Sequence, residues 1–489
     1  MSPRGGVTTL SSPSGWAGVR IALVTWKDFL RAGTPRGRPM TPAILVSARR
    51  AFARGLRSRG DPPVTPLRRI VDITYLAHWP GRVTGIPRVI SEYCRRARPD
   101  DVFVVWENET RRFVEVDPLG TAEQHGRGIA YRLRGGRGVG VARALRFGGA
   151  GRASRELRRL GAARGSERVS ALARRLARFR ALEHREVLPG AQDVFVTFMG
   201  QWHDQSYIDA ILAADVRGAA VVQFSYDMLP IVAPHLSGHS TVPMTSYLTQ
   251  VLPVTDLVLS ISENSRRDLV EWAAAEGVAH GPVEVFRLGD DFGSVRDSPE
   301  RTGVPDELRE DGFVLCVGTV EARKNHVLLY YVYRAAVERE IDLPPLVVVG
   351  REGWHAGDVF RMLQDDPALR GRVHVLSDAS DEALAWLYAN CRFTIYPSMY
   401  EGWGLPVAES LAWGKPVVAS RSSSMPEIAG ELIDYFDPFS QEECMAAILR
   451  LTGASELQEA LGRVRRYRPT PWSDVVDVLN RLIGAVTAA

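Results

Sequence analysis

The sequence predicts an α/β protein built of two doubly wound domains that face each other across a cleft. Three observations predict it. Short β-branched runs alternate with helix-length segments, which is the pattern of a parallel sheet covered on both faces. The alternation occurs twice, on either side of a polar stretch at 290–310 that carries Gly293, Pro299, Gly303 and Pro305. The length of 489 residues also suits two or three domains with sizeable cores.

Taken in order, residues 1–68 form a basic extension. They are rich in Gly, Pro, Ser and Arg, reach the breaker Asp61-Pro62-Pro63, and hold one amphipathic stretch at 42–57, so most of the segment is expected to be mobile. The first Rossmann-like domain, 69–295, has apolar runs at 70–74, 102–106, 194–197, 221–224, 257–260 and 285–286. A basic insertion at 120–188 interrupts it. There Val169, Leu172, Leu176, Phe179 and Leu182 fall at helical spacing among arginines, which predicts a basic amphipathic helix. The second Rossmann-like domain, 308–489, has runs at 313–317, 346–349, 373–375, 393–396, 417–419 and 432–436, with helices expected at 326–338 and 381–389 and a last helix expected to pack back on the first domain. Folds of this kind bind ligands beyond the carboxyl ends of their strands.

Composition narrows the classes. No run approaches the roughly 18 apolar residues of a membrane span. Four dispersed cysteines suggest neither a disulfide framework nor a zinc site, and Arg20 and Lys27 interrupt the one leader-like stretch at 19–26, so a cytoplasmic location is expected. The net charge of +4 hides a division: 12 Arg and one Lys face two Asp in residues 1–69, and 17 Arg face four Glu in 127–186, leaving the body acidic. Two basic segments of this kind suggest peripheral attachment to an anionic membrane surface, at the inner face of the plasma membrane. They hold few aromatics for stacking on bases, so no nucleic acid partner is expected.

Two blocks carry the chemistry. In the first, Tyr396 to Ser420, a strand ends at Pro397, a glycine loop follows, Pro406 opens a short helix and Gly414 closes it. Gly402 and Gly404 allow close backbone approach, and the free amides of the first turn, at Leu405 and beyond, attract phosphate. Glu401 and Glu409 face the same molecule and suit hydroxyl groups, so a ligand with both phosphates and hydroxyls, a nucleotide-diphosphate sugar, is indicated. In the second block, Val317 to His326, Arg323 and Lys324 follow a strand that ends in Gly318. They suit a diphosphate, and Lys324 is one of only three lysines in the chain.

These motifs resemble the retaining glycosyltransferases of family GT4, with their two-domain GT-B fold. The resemblance rests on the E-x7-E pair Glu401 and Glu409, the run Ser422 to Gly430 with Glu427, and Arg323-Lys324-Asn325. It extends to Asp72-Ile-Thr, Thr84-Gly85-Ile-Pro-Arg88-Val and Ile261-Ser-Glu-Asn-Ser-Arg266. It implies that Arg323 and Lys324 hold the donor diphosphate, that Glu401 bonds hydroxyls of the transferred sugar, and that Glu409 binds the ribose. Gly85 would approach the donor, with Gly402, Trp403, Gly404 and Leu405 lining it. It also implies a hexose or deoxyhexose donor, mannose- or rhamnose-like, and a glycan or lipid-linked saccharide acceptor. Tyr226 stands where many relatives carry His in His-Asp-x-x-Pro, and Thr319 where others carry Arg. Arg88, His203, Tyr226 and Asp227 are expected on the acceptor side or beside the sugar. No Asp-x-Asp occurs, so neither a metal nor another cofactor is expected, and cations with a helix dipole would take the metal's place. Two other readings remain: the carboxylate pair of a glycosidase, which leaves the cations idle, and a non-catalytic basic adaptor that binds anionic membrane or nucleic acid on a degenerate transferase body.

Overall fold

The computed structural model describes residues 68–79, 85–118, 185–238, 241–291 and 299–486. The basic extension with its amphipathic stretch, Thr84 and the helix expected near 167–185 lie outside the described residues, save Arg185.

The first sheet has seven strands: β1 (Arg68–Asp72), β2 (Val102–Glu107), β3 (Arg112–Glu115), β4 (Asp193–Thr197), β5 (Ala220–Ser225), β6 (Leu257–Ser260) and β7 (Val283–Val285). Their order is β3-β2-β1-β4-β5-β6-β7, parallel apart from the antiparallel β2–β3 pair. Its central strands are buried on both faces, which is why β1, β4 and β5 read as continuous apolar runs. β1 ends two residues earlier than the sequence suggests. The Asp72 carboxylate accepts the amide and the hydroxyl of Thr74, which turns the chain into the short helix Thr74–His78. The short β3 was not anticipated. Past it the chain leaves at Pro118 and returns at Arg185 beside the same strand. The Val187 amide donates to the Phe113 carbonyl (3.0 Å), the Glu115 amide to the Arg185 carbonyl (3.0 Å), and Val114 bridges Glu186 antiparallel.

The second sheet is wholly parallel: β8 (Val314–Val317), β9 (Leu346–Val349), β10 (Val373–Leu376), β11 (Phe393–Tyr396), β12 (Val417–Ser420) and β13 (Asp434–Phe436), in the order β10-β9-β8-β11-β12-β13. Its strand order reverses between β8 and β11, and that of the first sheet between β1 and β4, so each domain has a crevice at its carboxyl edge.

One apolar core runs from the first domain into the second, taking in Val71, Val89 and Phe224 together with Trp403, Val407 and Ile428. The last helix, Trp472–Val486, lies against the helix Ile86–Arg95 of the first domain, where the Arg69 guanidinium donates to the Asn480 carbonyl (2.9 Å). Trp472 also covers Gly289, at which a Cβ would stand 2.6 Å from the indole. The segment between the two sheets is thereby tied to the chain's end, with the Thr470 amide on the Asp290 carboxylate (2.7 Å). All four cysteines are buried and unpaired.

Candidate active site

β11 delivers Tyr396 to the carboxyl edge and the loop 397–404 turns back over it. Ser420 donates to the Ser398 carbonyl, and Ser424 donates to the carbonyls of Glu401 (2.9 Å) and Trp403 (2.7 Å), so the loop is pinned to the strand end next to it. Gly404 is left-handed at φ 105° and caps the helix Leu405–Ala412, with Pro406 in its first turn. Gly402 is glycine for a different reason. A Cβ there would lie 2.2 Å from the Tyr226 carbonyl oxygen, so its close neighbour is the other domain's backbone.

After β8 the chain passes Gly318 into a 3-10 turn, Ala322–Lys324, and Asn325 at φ 58° starts the helix His326–Glu338. The Asn325 amide group donates to the carbonyls of Pro397 (3.1 Å) and Pro438 (2.8 Å), which fixes the turn against the glutamate loop. As a result both cations converge on Glu401: Lys324 Nζ lies 2.5 Å from Oε1, Arg323 Nη1 lies 2.5 Å from Oε2, and Ser398 donates to Oε1 at 2.8 Å. Arg323 also meets Glu321 (2.6 Å) and the Tyr400 carbonyl (3.2 Å). Burial alone would raise the Glu401 carboxyl, but Arg323 and then Lys324 outweigh it and hold it at about 2. Burial likewise opposes the Arg323 charge, and Glu401 and Glu321 more than restore it. This depressed carboxyl contributes its full stability above its ordinary value of 4.5 and loses it only as pH falls toward about 2. Sequence reasoning assigns Arg323 and Lys324 to the diphosphate and Glu401 to the sugar; the structure joins all three in one cluster around the buried carboxylate.

The second glutamate is also engaged. Glu409 Oε1 takes Arg88 Nη1 at 2.6 Å and Oε2 takes the Tyr388 hydroxyl at 3.1 Å, while Arg88 also reaches the Asp291 carbonyl (2.8 Å). Arg88 therefore sits against the residue expected on the ribose. Gly85, at φ 58°, opens the helix that carries Arg88, and a Cβ there would meet nothing within 4 Å.

From the first domain, Tyr226 and Asp227 follow β5. Asp227 faces Arg323, and burial pushes its carboxyl up against that cation's pull. The Tyr226 hydroxyl and the Trp403 indole N–H are buried without a protein partner among the described residues, and the Arg287 guanidinium lies 5.3 Å from the Trp403 ring. His203 is exposed and takes a hydrogen bond from Trp202 (2.6 Å), so the structure does not join it to the carboxylates.

Sequence reasoning missed the contacts made by the helix Glu263–Ala275. Glu427 accepts the amides of Glu263 and Asn264 (2.7 Å each), Asp268 accepts the Tyr400 hydroxyl (2.6 Å), and Ser265 donates to the Tyr226 (3.0 Å) and Gly402 (3.3 Å) carbonyls. The only signals were the motifs Ser-Glu-Asn-Ser-Arg and Met-Pro-Glu, which do not announce each other. No cluster of three or more His, Cys, Asp or Glu placed to hold a metal occurs among the described residues.

The sequence profile of the glycosyl transferases group 1 matches residues 300–466. O-antigen chain mannosyltransferase B of Escherichia coli is 36% identical over 144 residues, 29% of this chain and 38% of that protein. The serotype-specific mannosyltransferase WbdA of the same organism is 28% identical over 296 residues, 58% of this chain and 35% of that protein. The MMP alpha-(1->4)-mannosyltransferase of Mycolicibacterium hassiacum is 32% identical over 171 residues, 33% of this chain and 40% of that protein. The matches thus span well under half the length of these relatives. Sucrose-phosphate synthase from Thermosynechococcus elongatus shares the fold, with a TM-score of 0.52 and 16% identity over 86% of this chain and 99% of that one. The stretch that carries Arg323, Lys324, Glu401 and Glu409 is thus similar to the group 1 glycosyl transferases, and the two sheets together make a two-domain GT-B fold.

Proposed function

We propose that the protein transfers mannose from a nucleoside-diphosphate sugar to a hydroxyl of a glycan or lipid-linked saccharide, with retention at the anomeric carbon and without a metal. The observation that carries this reading is the convergence of Arg323, Lys324 and Glu401 at the carboxyl edge of the second sheet. The mannosyltransferases among its relatives support the choice of sugar.

The chemistry follows from charge. The bond between the anomeric carbon and the phosphate oxygen breaks with its electron pair leaving on the diphosphate. Arg323, Lys324 and the amides of the helix that begins at Leu405 face that growing negative charge, and preorganised donors of this kind contribute the largest share of many enzymic accelerations. The acceptor oxygen attacks from the face the diphosphate leaves, and its proton passes to the departing phosphate oxygen. No protein nucleophile is needed. Glu401 lies within reach of the sugar and stays ionised throughout, so it can favour the positive charge that develops at the sugar ring. Tyr226 and Asp227 close the site from the other domain.

A panel of GDP-, UDP- and dTDP-sugars read by thermal shift tests the reading. A donor at 100 times its Kd adds about 2.7 kcal/mol of stability, and a GDP-mannose response above that of the other sugars is expected. No response to any member would remove the reading. Activity is expected to survive excess EDTA, since both phosphate charges meet fixed cations; a loss restored by Mg²⁺ or Mn²⁺ would show that Arg323 and Lys324 do not suffice.

The basic segments, residues 1–69 and 127–186, suit attachment to the cytoplasmic face of an anionic membrane, with roughly 1 kcal/mol from each arginine near the surface. Flotation is expected with anionic vesicles; equal recovery with neutral ones would argue against it.

A further inference from the structure

Resting on the transferase reading, we propose that Asp268, Tyr400 and Glu427 are positioning residues: they couple the approach of the two domains to the placement of Glu401 and Arg323. Tyr400 and Gly402 flank Glu401, and each is held by the first-domain helix Glu263–Ala275, Tyr400 through Asp268 (2.6 Å) and Gly402 through Ser265 (3.3 Å). Tyr400 has a second role, because its carbonyl receives Arg323 Nη1 (3.2 Å). The same turn of chain that supports the loop from behind, with Ser423 accepting the Glu401 amide (2.8 Å) and Ser424 bonding the Glu401 carbonyl, leads directly into Glu427.

Glu427 satisfies two amides at the start of that helix, both 2.7 Å away, so a second-domain carboxylate completes a first-domain helix where the dipole favours negative charge. Separating the domains would strip these amides of Glu427 and the Tyr400 hydroxyl of Asp268 at once, leaving Asp268 with only Asn264 and Arg267 of its own helix. The loop that presents Glu401 would then lose its outer support while its bonds to Ser423 and Ser424 remained.

The coupling makes distinct demands on two variants. Tyr400→Phe removes one hydroxyl from Asp268. Glu427→Gln keeps one acceptor but turns an N–H group toward the other helix amide. Each is expected to lower kcat for donor turnover about tenfold or more, the effect of losing a hydrogen bond to a charged group, while the Kd for free GDP stays within about twofold. Spin labels on Glu276→Cys and Glu442→Cys, both exposed in a chain whose own cysteines are buried, should report a longer interdomain distance in both variants. Unchanged distance with unchanged kcat overturns the proposal. So does a fall in GDP affinity that matches the fall in kcat, since that would mean damage within the second domain alone. If the unaltered protein turns over no donor in the panel, the transferase reading fails by itself; the label distances then decide the coupling, a longer distance supporting it and an unchanged one overturning it.

Discussion

Glu401→Gln is expected to lower kcat by about 10- to 150-fold with a smaller change in KM, the range for losing a charged hydrogen bond of roughly 1.5–3 kcal/mol. The structure raises the stakes of this change. Both carboxylate oxygens are in use, one toward Lys324 and Ser398 and the other toward Arg323, and the group is buried. A neutral amide leaves two partly buried cations with less compensation and presents an N–H group where Lys324 or Arg323 also donates. In the proposed reaction, a carboxylate beside the sugar would gain value as positive charge develops, so the loss would fall on the transition state. Glu409→Gln is expected to differ. Glu409 bonds Arg88 and Tyr388, and in the proposed reaction it would meet the ribose, away from the reacting bond, so its loss should weaken binding of donor and of free diphosphate together. Calorimetry with GDP, run beside initial rates, separates the two. Loss of GDP binding in Glu401→Gln with retention in Glu409→Gln would require the two roles to be exchanged.

Gly402→Ala is expected to cost at least a hundredfold in kcat/KM for so small a change. Its backbone is not left-handed, so no conformational strain arises. The obstacle is space: the new methyl would stand 2.2 Å from the Tyr226 carbonyl oxygen and 3.1 Å from the Asp227 Cβ, and the first of these is backbone that cannot swing away. Overpacking of this kind costs about 1–3 kcal/mol where the surroundings can shift. Here the cheapest shift moves one domain off the other, carrying Tyr226 and Asp227 away from Glu401. Initial rates with a thermal melt check this; full activity would mean that the loop yields instead.

Much of the fold was legible because its signals are local. β6, β9 and β11 occupy the runs of Val, Ile, Leu and Phe that suggest them, and the helix His326–Glu338 begins and ends where expected. Glycine and proline gave the loop at 397–404 and the helix after it. β3 escaped because a four-residue strand with a charge at each end resembles a turn, and β1 was displaced because the Asp72 carboxylate competes for the Thr74 amide. The site was legible in its residue types but not in its partners. Arg88 is 321 positions from Glu409, and Glu427 is 163 from Asn264, and no periodicity links such pairs. The buried Glu401 cluster was hidden for the same reason, since opposite charges on two loops meet only once β8 and β11 lie side by side.

The chain's return to β3 has a practical consequence. Because the chain before Pro118 and the chain from Arg185 pair across one sheet edge, the two ends of the intervening 66 residues are held at the same strand. Excising residues 119–184 and joining the ends by about four residues of Gly and Ser would leave β3 and its pairing with Arg185–Val187 in place. The trimmed enzyme should fold and turn over a soluble acceptor at an undiminished rate while carrying sixteen fewer arginines, making it a tool for assigning surface attraction to that stretch alone.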